Sequence, residues 1–371
     1  MHKLLHGSME ECGDVWQYLS GLRRPIVLYG MGDGADKMLR VCKRYDIRIA
    51  DFFASDDFVR GQCFHDRRVL TFSEILSKYD DFTVVIGFST ARKEVLERLY
   101  FLDSRFDVVV PDVPLYGDEV FTLEYLKEHT EEFTRAYELL ADEQSRLVYR
   151  SVLFSKLTGR LFFMRQAVSE NSDIQDLLRL RDVRFYADLG AYRGDTVQQM
   201  QRCAPDLSRV WAFEPDEKNY KKLEEFAARQ KIEIHTYPLA AWSGSAELSF
   251  EASGNRNAHA VGEESCTGGR RRRITRIKAG SLDDILQGER VDFIKYDVEG
   301  AEKEAILGSE RTLSLWRPRL LVSVYHRVCD LFALPLLIHR ICPTYRLMLR
   351  KSMCVPAWEV CLLCENEAKT P

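Results

Sequence analysis

Short apolar runs alternate with amphipathic stretches in two separate regions of the chain, and a charged helical stretch lies between them. In the first region residues 25–29 form an apolar run of strand length. The glycine-rich Gly30-Met-Gly-Asp-Gly-Ala35 follows, and then a helical pattern through about Tyr45. Residues 48–53, 83–88 and 108–111 read as further strands and 91–102 as a helix, with Ser73 as the cap of a short helix before them. Strand and helix in alternation predict a small parallel sheet.

Residues 118–180 read as helical and strongly charged, with Phe133, Tyr137, Leu140, Leu147 and Phe154 spaced for one buried face. This stretch is expected to be a connector packed on the second alternating region. That region starts near Arg184. It predicts strands at 185–189, 209–214, 233–239, 291–297, 319–325, 345–350 and 358–365, and early helices at 195–202 and 217–230. Residues 246–251 and 273–279 read as an inserted hairpin around a polar loop. The last two strands are joined by a short stretch containing Pro356, too short for a helical crossover, so they are expected to be antiparallel. The organisation expected is an N-terminal Rossmann-like α/β domain at 1–117, a helical connector at 118–180 and a second, larger α/β domain at 181–371.

Composition changes this picture little. With 371 residues the chain is long enough for two cores, and 46% apolar with 30% charged residues is ordinary for a globular protein. A net charge of −4 gives no global field to recruit nucleic acid or an anionic membrane. The first residues lack the apolar core of a signal peptide, and no run reaches the ~18 apolar residues of a membrane span. Ten cysteines without an export signal then predict reduced thiols and a cytoplasmic protein. Cys361 and Cys364 have a zinc-like spacing but no second close pair, so they read as buried apolar residues of a strand. An oligomer is compatible with these numbers.

Candidate chemistry concentrates in Asp188-Leu-Gly-Ala-Tyr-Arg-Gly-Asp-Thr196, between a strand and a helix. Glu214 closes the next strand, 20 residues after Gly194. Glycines at 190 and 194 let backbone approach a ligand, and an acid at 214 can accept hydrogen bonds from both hydroxyls of a ribose. A dinucleotide fingerprint would read Gly-x-Gly-x-x-Gly. Here an acid heads the run and Tyr192 replaces the middle glycine. An acid repels a diphosphate and pairs with an ammonium, which favours S-adenosylmethionine over NAD.

Together with Ala212-Phe-Glu-Pro-Asp216, Lys295-Tyr-Asp-Val-Glu-Gly-Ala-Glu302 and Val322-Ser-Val-Tyr-His-Arg327, this loop resembles the FkbM family of methyltransferases over roughly residues 180–365. The resemblance implies the seven-stranded class I methyltransferase sheet and O-methylation of hydroxyls on sugars, glycans or natural products. Residues 25–112 resemble the small Rossmann-like domain that some members carry. The resemblance places the cofactor against Asp188, Gly190, Ala191, Tyr192, Gly194, Asp195, Thr196, Glu214, Pro215 and Asp297. Glu299 and Tyr325 are expected to face the acceptor.

His326 is the candidate proton acceptor, with Asp297 beside the methyl group, since an ordinary imidazole titrates near neutrality. A divalent metal on Asp297, Glu299 and His326 is the alternative use of the same groups; no metal is assigned. Gly30–Ala35 fits a nucleotide loop after a strand, with Asp33, Asp51 and Ser55-Asp56-Asp57 nearby, and marks a nucleotide-sugar site as a second candidate. A non-catalytic nucleotide-sugar-binding or scaffold protein is thus the runner-up. Arg270-Arg-Arg-Arg273 suggests RNA, but charge runs are usually solvated, and the base-methylation signature Asn/Asp-Pro-Pro-aromatic is missing, so nucleic acid ranks below a small-molecule or glycan acceptor.

Overall fold

A computed structural model describes residues 13–251, 259–261 and 274–366. The chain forms two compact units. One comprises the residues through 138 together with 142–169 and 350–360; the other comprises 139–141, 170–349 and the residues from 361.

In the first unit, β1 (Ile26–Tyr29), β2 (Ile49–Phe53), β3 (Thr83–Ile86) and β4 (Asp107–Val109) form a parallel sheet in the order β2-β1-β3-β4. β1 and β3 are buried along their whole length, as strands covered on both faces must be. The glycine loop after β1 opens helix α1 (Asp33–Arg44). Thr71, not Ser73, caps the short helix Phe72–Lys78, because Thr71 and Glu74 form a reciprocal capping box. Residues 350–360 join this unit, where Thr90 and Val355 exchange backbone hydrogen bonds of 2.8 and 2.9 Å.

The charged stretch is helical, but its residues through 138 and from 142 to 169 belong to the first unit, not to the second on which it was expected to pack. Its longest helix, Glu143–Thr158, is capped by Asp142 and stopped by Gly159 at φ 66°, where a side chain would be strained. Leu147, expected on the buried face, is exposed; Val148, Tyr149 and Val152 carry that face instead.

The second unit is built on seven strands: β5 (Phe185–Leu189), β6 (Arg209–Phe213), β7 (Glu233–Tyr237), β8 (Phe293–Tyr296), β9 (Arg319–Ser323), β10 (Tyr345–Lys351) and β11 (Val360–Asn366). Their order is β10-β11-β9-β8-β5-β6-β7. The five from β5 to β9 pair in parallel, and β11 is antiparallel to β9. The last strand therefore inserts between β9 and β10. Helices α2 (Asp195–Cys203) and α3 (Glu217–Ala227) follow β5 and β6. Short helices α4 (Glu302–Leu307) and Glu310–Trp316 lie between β8 and β9, and α5 (Asp330–Ile341) follows β9 with Pro335 inside it. The inserted hairpin is present, with 246–251 antiparallel to 274–280. Arg270 to Arg273 lie outside the described residues.

Parallel register settles what meets at the carboxyl edge. Lys295 on β8 pairs directly with Asp188 on β5, and Asp188 pairs in turn with Ala212 on β6. Two buried, opposite charges thus stand side by side before any loop contributes.

Candidate active site

At the end of β5 the backbone N–H groups of Gly190 and Ala191 both donate to the carbonyl of Phe213, at 3.1 and 2.9 Å. This clamps the loop to β6. Gly190 has φ +91°, and a Cβ there would fall 2.0 Å from the carbonyl oxygen of Asp297. Gly194, at φ +88°, would place a Cβ 2.3 Å from the Phe226 ring. Both glycines are therefore demanded by the chain's own packing. Tyr192 is left-handed at φ +51°, and its N–H donates to Glu214 Oε2 at 3.0 Å. The N–H of Asp216 donates to Glu214 Oε1 at 2.9 Å.

Glu214 is thus the clasp of the loop. Burial pushes its carboxyl up to about 8, Asp216 adds to this, and the backbone donors oppose it. Half-buried Pro215 follows, and Asp216 caps α3 by accepting from Lys218 and Asn219 N–H. Gly194 precedes α2, in which Asp195 and Thr196 form the first turn. Thr196 Oγ1 donates to Asp188 Oδ2.

Asp188 is fully buried, and its Oδ1 accepts no hydrogen bond. The ammonium closest to it is the chain's own: Lys295 Nζ, 3.5 Å from Oδ1. Burial raises the Asp188 pKa, and Lys295 and Thr196 limit the rise. The same Nζ lies 3.2 Å from Asp297 Oδ2 and donates to Gly190 O at 3.2 Å. Burial alone would lower the Lys295 pKa, yet Asp297 and Asp188 reverse that and raise it.

The ends of β8 and β9 carry the rest. Asp297 Oδ1 accepts from Ser323 Oγ at 2.8 Å. Burial works against its charge, but Lys295 and His326 outweigh it and hold the carboxyl at about 2. Glu299 is left-handed at φ +54° and Gly300 follows at +93°, so the turn after β8 is tight and strained at a non-glycine residue. Burial lifts the Glu299 carboxyl to about 7. His326 lies three residues past the end of β9, its side chain only 2% exposed. Its Nδ1 lies 2.9 Å from Glu302 Oε1; Nε2 is 3.5 Å from Glu299 Oε2 and 3.9 Å from Asp297 Oδ1. Half-buried Tyr325 lays its ring against the imidazole, centroids 4.2 Å apart.

These contacts change the imidazole. Burial would lower its pKa, but Glu302, Glu299 and Asp297 more than reverse that and raise it to about 10. The ordinary imidazole pKa on which the sequence reading of His326 rested is not kept here. In the free protein the ring carries a proton at neutral pH.

The loop residues, Glu214, Asp297, Glu299, Tyr325 and His326 all lie along the carboxyl edge of β5, β6, β8 and β9. Sequence reasoning gave no separate role to Glu302 or Ser323, and offered Asp330, like Tyr325, as a pocket-lining residue or equally a core or surface one. Glu302 is fully buried and accepts from Val298 and Gly300 N–H as well as facing His326. Asp330, also buried, accepts from Arg327 N–H at 2.7 Å, and burial lifts its carboxyl to about 7. The available signal was Glu302 itself, an acid at the first helical position after a strand-end Glu-Gly-Ala.

Asp297, Glu302 and His326 bring ligand atoms within 4.8 Å of one another, a spacing a metal ion can bridge. Glu302 Oε1, however, already takes the Val298 N–H and His326 Nδ1. Cys361 and Cys364 are three apart on β11, so their side chains point to opposite faces and cannot close on one ion. In the N-terminal unit, a Cβ on Gly34 would fall 2.6 Å from Gly87 O, so that glycine serves close packing of α1 on β3, while Gly32 faces open space. Asp33 and Asp36 occupy the first turn of α1, where they weaken the attraction of the helix end for phosphate.

Around the site stand Asp188, Glu214, Asp297, Glu299, Glu302 and Asp330, against Lys295 and His326 as cations within it. Lys295 Nζ already faces the buried Asp188 Oδ1 at 3.5 Å, and the acids along this edge still outnumber its cations, which disfavours a diphosphate.

Five parallel strands, with an antiparallel last strand inserted beside the fifth, define a class I methyltransferase fold. Residues 188–334 match the methyltransferase FkbM domain family, so the chain carries an FkbM-type, S-adenosylmethionine-dependent methyltransferase domain. A solved methyltransferase FkbM from Methylobacillus flagellatus KT is 21% identical with a TM-score of 0.69, covering 96% of this chain and 92% of that one; at this identity the likeness is one of fold. An rRNA methylase from Streptococcus thermophilus superposes loosely, at 14% identity and TM-score 0.32 over 52% of this chain and 92% of that one. An O-methyltransferase from Bacillus cereus in complex with SAH does so at 13% and 0.32, over 65% and 100%. No curated protein matches the chain. Among the described residues no helix is long and apolar enough to cross a membrane.

Proposed function

We propose that this protein transfers a methyl group from S-adenosylmethionine to a hydroxyl of a sugar, glycan or natural product. The observation that carries the reading is the meeting, at one sheet edge, of the acid–glycine loop with the His326, Asp297 and Glu299 cluster. Asp188 through Thr196, with Glu214 and Pro215, would hold the cofactor. Each Glu214 oxygen retains a lone pair beyond its backbone donor for a ribose hydroxyl. When bound, the cofactor supplies a methyl group already activated on a sulfonium sulfur.

The chain's own work is then to align the acceptor oxygen and take its proton. His326 Nε2 is the proton acceptor, and the proton it carries in the free protein has to leave first. Glu299, 3.5 Å away and one-third exposed, is the route to solvent. Asp297 stays ionised beside it and, with Lys295, keeps the turn in place. Tyr325, whose ring lies against the imidazole, lines the acceptor side.

The test is mass spectrometry of a glycan and small-molecule pool incubated with methyl-labelled cofactor and enzyme. The reading expects label in an ether-linked methyl, lost in His326→Ala. Label on nitrogen or carbon, or ether label undiminished in the variant, contradicts it.

A further inference from the structure

We infer that Glu302 is the positioning residue of His326: it accepts a hydrogen bond from Nδ1–H and so turns Nε2 toward Asp297 and Glu299 as the edge that meets the acceptor. The inference deepens the reading of His326 as proton acceptor and rests on it. Glu302 Oε1 already serves as acceptor to Val298 N–H, so the 2.9 Å contact with the imidazole places the hydrogen on Nδ1. The other nitrogen is then the one that gains and loses a proton.

Glu302 is suited to fix direction because it is itself fixed. Oε1 also accepts from Val298 N–H at 2.9 Å and Oε2 from Gly300 N–H at 3.0 Å, and the side chain is buried. Those two donors alone would satisfy a helix-entry acid. The third contact instead reaches a side chain 24 residues further on, in the loop beyond β9. That loop is held from its other end as well. Arg327 Nε donates to Gly300 O at 2.6 Å, and Arg327 N–H donates to Asp330 Oδ2 at 2.7 Å. The Glu299–Gly300 turn and the His326 loop are thus pinned on either side of the imidazole. Glu302 holds the turn after β8 and the imidazole together, and these three hydrogen bonds go to that turn and the ring rather than to the Asp188–Thr196 loop.

The experiment is a titration of the imidazole nitrogens of His326 by nitrogen-15 NMR in the full chain, without cofactor. Wild-type protein is expected to lose the Nε2 proton and keep Nδ1–H. In Glu302→Gln the midpoint should fall by about one pH unit or more as the paired charge is lost, and the Nδ1 preference should vanish. Glu310→Gln, at an exposed position on the next helix, should change neither.

Turnover of Glu302→Gln should fall about tenfold or more at the alkaline plateau, with KM for the cofactor nearly unchanged. A wild-type ring that keeps Nε2–H overturns the inference, as does a Glu302→Gln ring unchanged in midpoint and tautomer. If Glu302→Gln does not fold, the wild-type tautomer decides alone. Unchanged turnover in His326→Ala would instead remove the proton-acceptor reading and leave the NMR result standing.

Discussion

Replacing Lys295 by Met removes the one cation between two acids while keeping most of the side-chain volume. Its Nζ lies 3.5 Å from Asp188 Oδ1 and 3.2 Å from Asp297 Oδ2, so Lys295→Met leaves both carboxylates facing each other. In the native protein Asp297 sits at about 2 against an ordinary 3.8. At ~1.36 kcal/mol per pH unit that drop corresponds to roughly 2.4 kcal/mol. Asp297 is one-third exposed. Solvent screening, together with the part of the shift that His326 and Ser323 supply, therefore reduces the Lys295 share to about 1 kcal/mol. Asp188 has no such relief, and leaving a buried partner uncompensated adds about 2–3 kcal/mol, at or below the usual range for breaking a buried pair.

The sum is a loss of about 3–4 kcal/mol at pH 7, or a Tm roughly 6–16 °C lower for a unit of this size. The sign of the pH dependence is fixed by the same charges. In the variant an orphaned, buried carboxylate has a raised folded pKa. Its penalty is present above that value and relieved as pH falls through it toward the ordinary carboxylate range. Thermal unfolding of both proteins at pH 8 and pH 5 measures this, and the deficit should narrow at pH 5. A deficit below about 1 kcal/mol at pH 8, or one that widens on acidification, refutes the account of Lys295 as the charge between two acids.

The same geometry sets three other outcomes. Gly190→Ala should cost several kcal/mol in chemical denaturation, roughly the upper end of single-site effects, because its Cβ would meet Asp297 O at 2.0 Å in a left-handed backbone. Glu214→Gln leaves one of the Tyr192 and Asp216 N–H groups facing an amide donor, so calorimetry should show about a tenfold or greater loss in S-adenosylhomocysteine affinity, together with about 1–3 kcal/mol of stability. Because His326 is raised to about 10, kcat/KM should climb with pH through neutrality, and an acid limb at an ordinary imidazole value would contradict the carboxylate cage.

Much of the fold was legible because local pattern and burial agreed. The apolar run at Phe185–Leu189 needed only its composition and the turn residues after it. Other features were set by distant packing. Helices Glu302–Leu307 and Glu310–Trp316 are 6 and 7 residues long, too short to show a period of their own. Asp330–Ile341 hides behind Pro335, which ordinarily ends a helix. The short link before Val360–Asn366 gave its direction, but not its insertion between β9 and β10.

At the site, residue types named the acids and the imidazole, and strand order brought them to one edge. Their protonation could not be read from residue type, because the Glu302 contact with His326 spans 24 residues and is made by packing. Nor did spacing show that Gly190 and Gly194 are held by Asp297 O and Phe226.

Isothermal titration calorimetry of the purified chain with S-adenosylmethionine and S-adenosylhomocysteine tests the central claim most directly. The account predicts binding of both in the C-terminal unit, weakened by Glu214→Gln and untouched by Gly32→Ala in the N-terminal loop. Binding of neither, or binding lost through Gly32→Ala and kept in Glu214→Gln, would contradict it.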